Sequence, residues 1–350
     1  MILLLLAATW ESPRVPPGEG STAAECGACH QEIYAEWKAS VHAHAWTDVQ
    51  FQQELAKDPE VGWLCLNCHT PASDQQAELA LHTGKVREPQ RSPSPAFSAA
   101  FRDEGLSCVG CHWRPEGIAG PFGDTEAPHA VVKAPELLDN TACTSCHQAV
   151  STYEEALVCH FNTGEEWSES GSSSTCQSCH MPEVTRALVP GGVERPGRRH
   201  LFLGSGIPKD SLPPEEVAFY SLFPPAVDVE FVGDEVVLTN SRADHLVPTG
   251  DPERYLLVKV EALDAKGQVL ATTTYRIGQV WEWWPAAKQI ADNRLQPGET
   301  RRIPVEVPRR TKELHVLVEH YRISPDNAEY HGLEGYPTKR LVHEERRRID

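Results

Sequence analysis

The sequence predicts a mixed fold in two unlike parts: sparse short helices and loops first, then an antiparallel immunoglobulin-like β-sandwich. Three observations predict it. The motif Cys-x-x-Cys-His occurs five times between Cys26 and His180, its first cysteines 39, 43, 35 and 33 residues apart. Proline and glycine, 28 and 24 of 350 residues, punctuate the chain and break regular structure. Past Cys179 there is no further cysteine, and from about Pro225 strand-like runs alternate with turn signals.

The motif decides the chemistry of the first part. Cys26/Cys29/His30, Cys65/Cys68/His69, Cys108/Cys111/His112, Cys143/Cys146/His147 and Cys176/Cys179/His180 take ten of the eleven cysteines. Cys-x-x-Cys alone fits half a zinc site, a redox pair or a haem attachment. The following histidine discriminates. With 16 His in 350 residues, five such placements by chance have a probability on the order of 10⁻⁷. Zinc sites need no histidine there and pair their cysteine units in twos, whereas five is odd. A disulfide across two residues gives the histidine no role. The reading is five covalently attached haem c groups. Two thiols of each motif reach the vinyl groups of one porphyrin, and His30, His69, His112, His147 and His180 are the proximal iron ligands.

Roughly 35 residues per haem cannot bury an independent core. Short helices and loops are therefore expected to wrap around stacked haems that supply the apolar interior. Residues 88–95 and 117–128 read as two of the loops. The chain divides into a signal-like, flexible N-terminus (1–20), a pentahaem cytochrome c domain (21–222), a β-sandwich domain (223–325) and a C-terminal tail (326–350). Residues 2–8 form a short apolar run of the kind found in secretory signals, although a positively charged start is missing. Haem attachment to this motif takes place outside the cytoplasmic membrane, so a periplasmic or extracellular location is expected. No apolar stretch approaches the roughly 18 residues that span a bilayer.

In the second part, Val227–Val232 and Glu235–Asn240 flank Gly233-Asp234, and Tyr255–Leu263 precedes residues 268–276 across a turn at 264–267. Runs at 300–307 and 313–323 follow. Six or seven such strands in about 100 residues suit a sandwich. The charged segment Lys339–Arg348 is expected to run over the surface.

Residues 26–45 (CGACHQEIYAEWKASVHAHA) resemble the opening of multihaem c-type cytochromes related to the tetrahaem electron acceptor of hydroxylamine oxidoreductase (cytochrome c554-like). There the first motif is followed by Trp-x-x-Ser-x-His, here Trp37, Ser40 and His42. Further matches are Gly120-Pro121, Ala127-Pro128-His129, and TGEEW at 163–167 ahead of CQSCHMP at 176–182. His200 to Gly204 resembles a His-x-Phe-x-Gly element, and Asn240, His245 and Pro248-Thr249-Gly250 resemble a His-x-x-Pro-Thr-Gly turn. The fifth motif and the large C-terminal β-domain depart from the tetrahaem pattern. The resemblance implies His42, His129, His200 and His245 as distal iron ligands. For a fifth, His82 precedes the turn Thr83-Gly84, with His44, His160 and His331 as competitors.

An iron with two histidines is closed and transfers electrons, whereas one lacking its distal ligand binds small molecules. The functional reading is an exported pentahaem cytochrome c that relays electrons, a carrier rather than an enzyme. Two alternatives stand beside it. One is a haem enzyme with an open iron, the second motif first, acting on small nitrogen or sulfur compounds. The other is a subunit of an extracellular cytochrome filament. The balance of 32 Lys+Arg against 50 Asp+Glu, −18 overall, disfavours nucleic acid and suits redox protein partners with a basic docking face. Self-association remains open. Cys159 reads as a buried free thiol, although Ala156 to His160 resembles a haem motif short of its first cysteine. Trp281, Trp283 and Trp284 read as core or interface packing.

Overall fold

A computed structural model describes residues 15–349 except 17, 82–86, 88, 154–155, 203, 210–211, 221 and 284, with backbone only at 81, 151–153, 156–158 and 215. The apolar run at 2–8 lies outside the described residues. Two compact units divide the chain: Met1–Ala142 with Thr175–Leu203, and Cys143–Ser174 with Gly204–Asp350.

The first unit is built of short helices and small β-ribbons. Each motif sits on a helical turn, which brings positions i and i+3 to one side. The first begins in Ala23–Gly27 and hands His30 to the start of Gln31–Lys38. The others occupy Trp63–His69, Val109–His112, Thr141–His147 at the boundary between the units, and Cys176–His180. Ala23–Gly27 is short but well capped. Thr22 accepts from the Glu25 amide while the Glu25 carboxylate accepts from Thr22 N. Glu104 takes the next amides, Ala23 N and Ala24 N.

Both expected loops contain strands. Gln90–Pro93 pairs with Glu78–Leu81, and Gly117–Gly120 lies between Trp113–Arg114 and Val131–Lys133. Proline is tolerated in such two-stranded ribbons because every strand is an edge. Gly117 has φ +147° and the backbone and Cβ of Ala130 at 2.6–2.8 Å from where a Cβ would stand, an approach open only to glycine. Of the leader expected over 1–20, the described residues begin at Val15. Val15 is fully buried, pairs with Ala72 and packs with Phe101 and Val109, because an apolar side chain at that position completes a small core.

Two antiparallel sheets dominate the second unit. Its strands are β1 (Val227–Val232), β2 (Glu235–Asn240), β3 (Tyr255–Leu263), β4 (Val269–Glu282), β5 (Lys288–Asp292), β6 (Thr300–Pro304), β7 (Glu313–Tyr321) and β8 (Lys339–Arg348). The sheet orders are β1-β2-β6 and β5-β4-β3-β7-β8. One hydrophobic cluster takes Val236, Leu238 and Ile303 from the first sheet and Leu256, Val258, Val260, Leu314, Val316 and Val318 from the second. The period-2 pattern of these residues selects the buried faces. β1, β2 and β3 have the expected bounds; β4 runs on to Glu282. The charged segment at 339–348 is not a surface strap but an edge strand on β7. Its charges pair across the ladder, Arg346 with Glu313 and Glu344 with His315.

Leu314 is fully buried in the shared cluster. Leu314→Ala is expected to cost about 2–5 kcal/mol, measured by urea denaturation. A second expectation concerns pH. Burial, with Arg254, Arg340 and Arg322 around it, pushes His320 down from 6.5 to about 3. The unfolded chain therefore takes up this proton first, and stability falls as pH drops from about 6.5 toward 3, on the order of 1 kcal/mol per pH unit. A stability–pH titration of His320→Gln is expected to be flatter over that window than that of the native chain.

Candidate functional site

The ten motif cysteines lie in five local pairs. Cys26 ends within the first short helix and Cys29 just beyond it, tied by Cys29 N donating to Cys26 O at 3.2 Å. Cys108 and Cys111 repeat that bond at 3.2 Å around Val109–His112. Cys65 and Cys68 share the helix Trp63–His69, Cys143 and Cys146 share Thr141–His147, and Cys176 and Cys179 share Cys176–His180. None of the ten is in a disulfide. Cys29 and Cys179 are exposed, while Cys26, Cys65, Cys68, Cys108, Cys111, Cys143, Cys146 and Cys176 are half-buried. Burial pushes the Cys65 thiol up to about 11. Two motifs meet directly. The side chains of Cys26 and Cys108 hydrogen-bond to each other, which lowers the Cys26 pKa and, together with burial, raises that of Cys108. Among the described residues no three His, Cys, Asp or Glu side chains gather as a bare metal ion would need.

Three of the five proximal-type histidines share one device. His30 Nδ1 lies 2.9 Å from Leu188 O, His69 Nδ1 2.7 Å from Ala45 O, and His112 Nδ1 2.7 Å from Ala119 O. A ring nitrogen that donates its proton to a carbonyl leaves the lone pair on Nε2, the tautomer a metal ligand needs. Burial of His112 also holds its pKa below the usual range, so it stays neutral. His147 and His180 close their motif helices.

Among the distal-type candidates, His200 is the most fully defined. Its Nδ1 lies 3.0 Å from Arg198 O, and burial with the nearby His112 pushes it down to about 4. The ring centroids of His112 and His200 lie 6.2 Å apart, with their planes 29° apart. That gap is too wide for ring contact. Two imidazoles bound to opposite sides of one ion, with metal–nitrogen distances of about 2.0 Å, place their centroids about 6 Å apart. The residues present therefore fit an iron between them. His245 is half-buried, with Nδ1 2.9 Å from Leu246 O, and desolvation lowers its pKa. His42 packs against Phe202 at 4.5 Å. His129 is exposed, its Nδ1 3.2 Å from Ala130 O. His82 lies outside the described residues. Among its competitors, His44 has a buried Nε2 with no hydrogen-bond partner among the described residues, His160 meets Trp281 edge-on at 4.9 Å, and His331 caps Pro325–Tyr330.

The supporting residues are ones that sequence reasoning missed. In the first unit Glu36 is buried and bonded to Arg186, Arg199 and His200 N. In the second, Glu166 accepts from Thr249 at 2.6 Å and Arg294 at 2.5 Å, while Asp244 accepts from Ser172 and Ser174. These bonds tie the segment bearing His245 to residues 163–174. Carboxylates and arginines at such separations carry no local signal. Two packing expectations are corrected. Trp283 stacks on Trp281 yet is 48% exposed, because it stands at the free end of the β4–β5 ribbon; Trp284 lies outside the described residues. Cys159 is half-buried rather than buried, since its strand belongs to a two-stranded ribbon.

The fold and site define a multihaem c-type cytochrome. Residues 25–113, which hold the first three motifs, match the family described as cytochrome c554 and c-prime. Covalent haem c is the cofactor, and electron transfer the activity, of such cytochromes. Among solved structures, a penta-heme cytochrome c552 from Thermochromatium tepidum shares the fold, with TM-score 0.67 and 21% identity over 94% of this chain and 99% of that one. No curated protein matches the chain.

Gly105 controls the turn that carries His42 and the carbonyl of Ala45. It has φ +62°, and an added Cβ would stand 2.7 Å from His42 O and 2.9 Å from Ala45 N. Gly105→Ala is expected to destabilise the protein by more than about 1 kcal/mol in a thermal melt, and to perturb the Soret band of the haem-loaded protein.

Proposed function

We propose that the protein is an exported pentahaem cytochrome c, periplasmic or extracellular, that relays electrons through closely spaced, mostly bis-histidine haems. The opposed pair His112 and His200, each with Nδ1 on a backbone carbonyl, is the observation that carries this reading. The haem c groups supply reversible one-electron chemistry. The chain's own residues hold and tune. Each porphyrin is anchored by one cysteine pair: Cys26 with Cys29, Cys65 with Cys68, Cys108 with Cys111, Cys143 with Cys146, and Cys176 with Cys179. The half-buried or exposed setting of these thiols supports the assignment, since a thiol sealed in a core could not meet a vinyl group. His30, His69, His112, His147 and His180 are the proximal ligands. His42, His129, His200 and His245 serve as distal ligands, with His82 first in line for the fifth. Carbonyl contacts from Leu188, Ala45, Ala119 and Arg198 fix the imidazole tautomers, and burial keeps His112 and His200 neutral.

The haem-bearing segment spans 21–222 in this reading. The strands at 223–325, joined at one edge by β8 at 339–348, form an immunoglobulin-like platform, and residues 1–20 include an export signal. The acid excess of 18 charges favours a redox partner with a basic docking face. No helix among the described residues is long and apolar enough to cross a membrane, so exchange with partners at a protein surface suits the chain.

Intact-mass spectrometry of the exported protein is expected to count five haems, unchanged in Cys159→Ser. A count below five overturns the reading, and a loss of one haem in Cys159→Ser reveals attachment at a sixth motif. Electron paramagnetic resonance of the oxidised protein is expected to show low-spin iron. A high-spin signal from one iron in five would instead support an enzyme with an open site.

A further inference from the structure

Glu36 lies on Gln31–Lys38, directly before Trp37, and its side chain is 4% exposed. Its carboxylate takes four donors. Arg186 Nη1 and Nη2 approach the two oxygens at 2.8 and 2.9 Å, Arg199 Nη1 reaches Oε1 at 2.7 Å, and the backbone amide of His200 reaches Oε2 at 2.8 Å. Arg186 also donates to Arg198 O at 3.1 Å, the same carbonyl that faces His200 Nδ1 at 3.0 Å. One buried anion therefore grips the histidine's main chain directly and, through Arg186, the carbonyl that fixes its ring. A planar guanidinium on a carboxylate allows little rotation, so both handles on His200 are set by the same rigid unit.

We propose that Glu36 is a positioning residue that holds His200 opposite His112. The inference rests on reading His112 and His200 as ligands of one iron. Without the carboxylate, the His200 amide and the Arg186 guanidinium lose their shared partner, and residues 198–200 are free to move the imidazole off the iron. Neither effect requires a change in haem attachment, because the motif cysteines lie elsewhere.

The test uses the haem-loaded full chain with His200→Ala, Glu36→Gln, Glu36→Ala and Arg199→Gln. His200→Ala is expected to convert about one iron in five from low to high spin, read by electron paramagnetic resonance. If it converts none, the ligand reading fails and Glu36 is not implicated. If it converts one, Glu36→Ala is expected to convert the same iron, added imidazole to restore the low-spin signal, and Glu36→Gln to give an intermediate fraction. Spectra identical to the native protein in both Glu36 variants overturn the proposal. Where the Glu36 variants fail to mature, Arg199→Gln, which removes one half-exposed donor, decides. A shift in the g-values of that single haem supports positioning through Glu36, and no shift overturns it. A purely structural role would lower the melting temperature without any spin change that imidazole reverses.

Discussion

A hydrogen bond from an imidazole Nδ1 to a backbone carbonyl is the interaction on which the rest of the first unit depends. It settles which nitrogen is free, and it ties each ring to a different stretch of chain: His30 to Leu188, His69 to Ala45, His112 to Ala119. The partners range from 7 to 158 residues away. Orienting an imidazole and closing the fold are thus one event, which is how a unit with small apolar clusters can hold its short helices in place. Attached porphyrins would fill what those clusters leave, consistent with the small share of surface that short segments bury alone.

The five motifs were legible because their chemistry is local. In a c-type haem attachment two thiols and an imidazole serve one porphyrin, so such a spacing is written within five residues. The exposure of each thiol was not, since it depends on what the rest of the chain lays over Cys29 or Cys65. The strands β1 to β3 were legible because a half-buried strand must alternate. β8 was not, because an edge strand lined with Lys, Arg and Glu shows little apolar contrast, and its pairing with β7 comes from the ladder and its cross-strand charges. The ribbon at Gln90–Pro93 escaped notice because its prolines argue for a loop unless both strands are known to be edges.

The supporting carboxylates illustrate a different limit. Glu36 sits in a helix where a glutamate is ordinary, and its partners lie 150 to 164 residues further along the chain. Glu166 meets Arg294 across 128 residues. Nothing in either neighbourhood distinguishes a buried anion from a solvated one. The histidines were visible as candidates through motif and resemblance, whereas the groups that aim them emerged only from the fold.

The charged edge strand has a further consequence. An open sheet edge invites another copy to add its own strand, and rows of lysine, arginine and glutamate on that edge oppose such growth. With β8 capping the five-stranded sheet and β5, exposed along its whole length, at the opposite edge, continuous sheet stacking through the β8 side is disfavoured. A multimer built across the β8 edge would therefore have to be joined by side chains rather than by a shared backbone ladder, and would come apart without unravelling its β-structure.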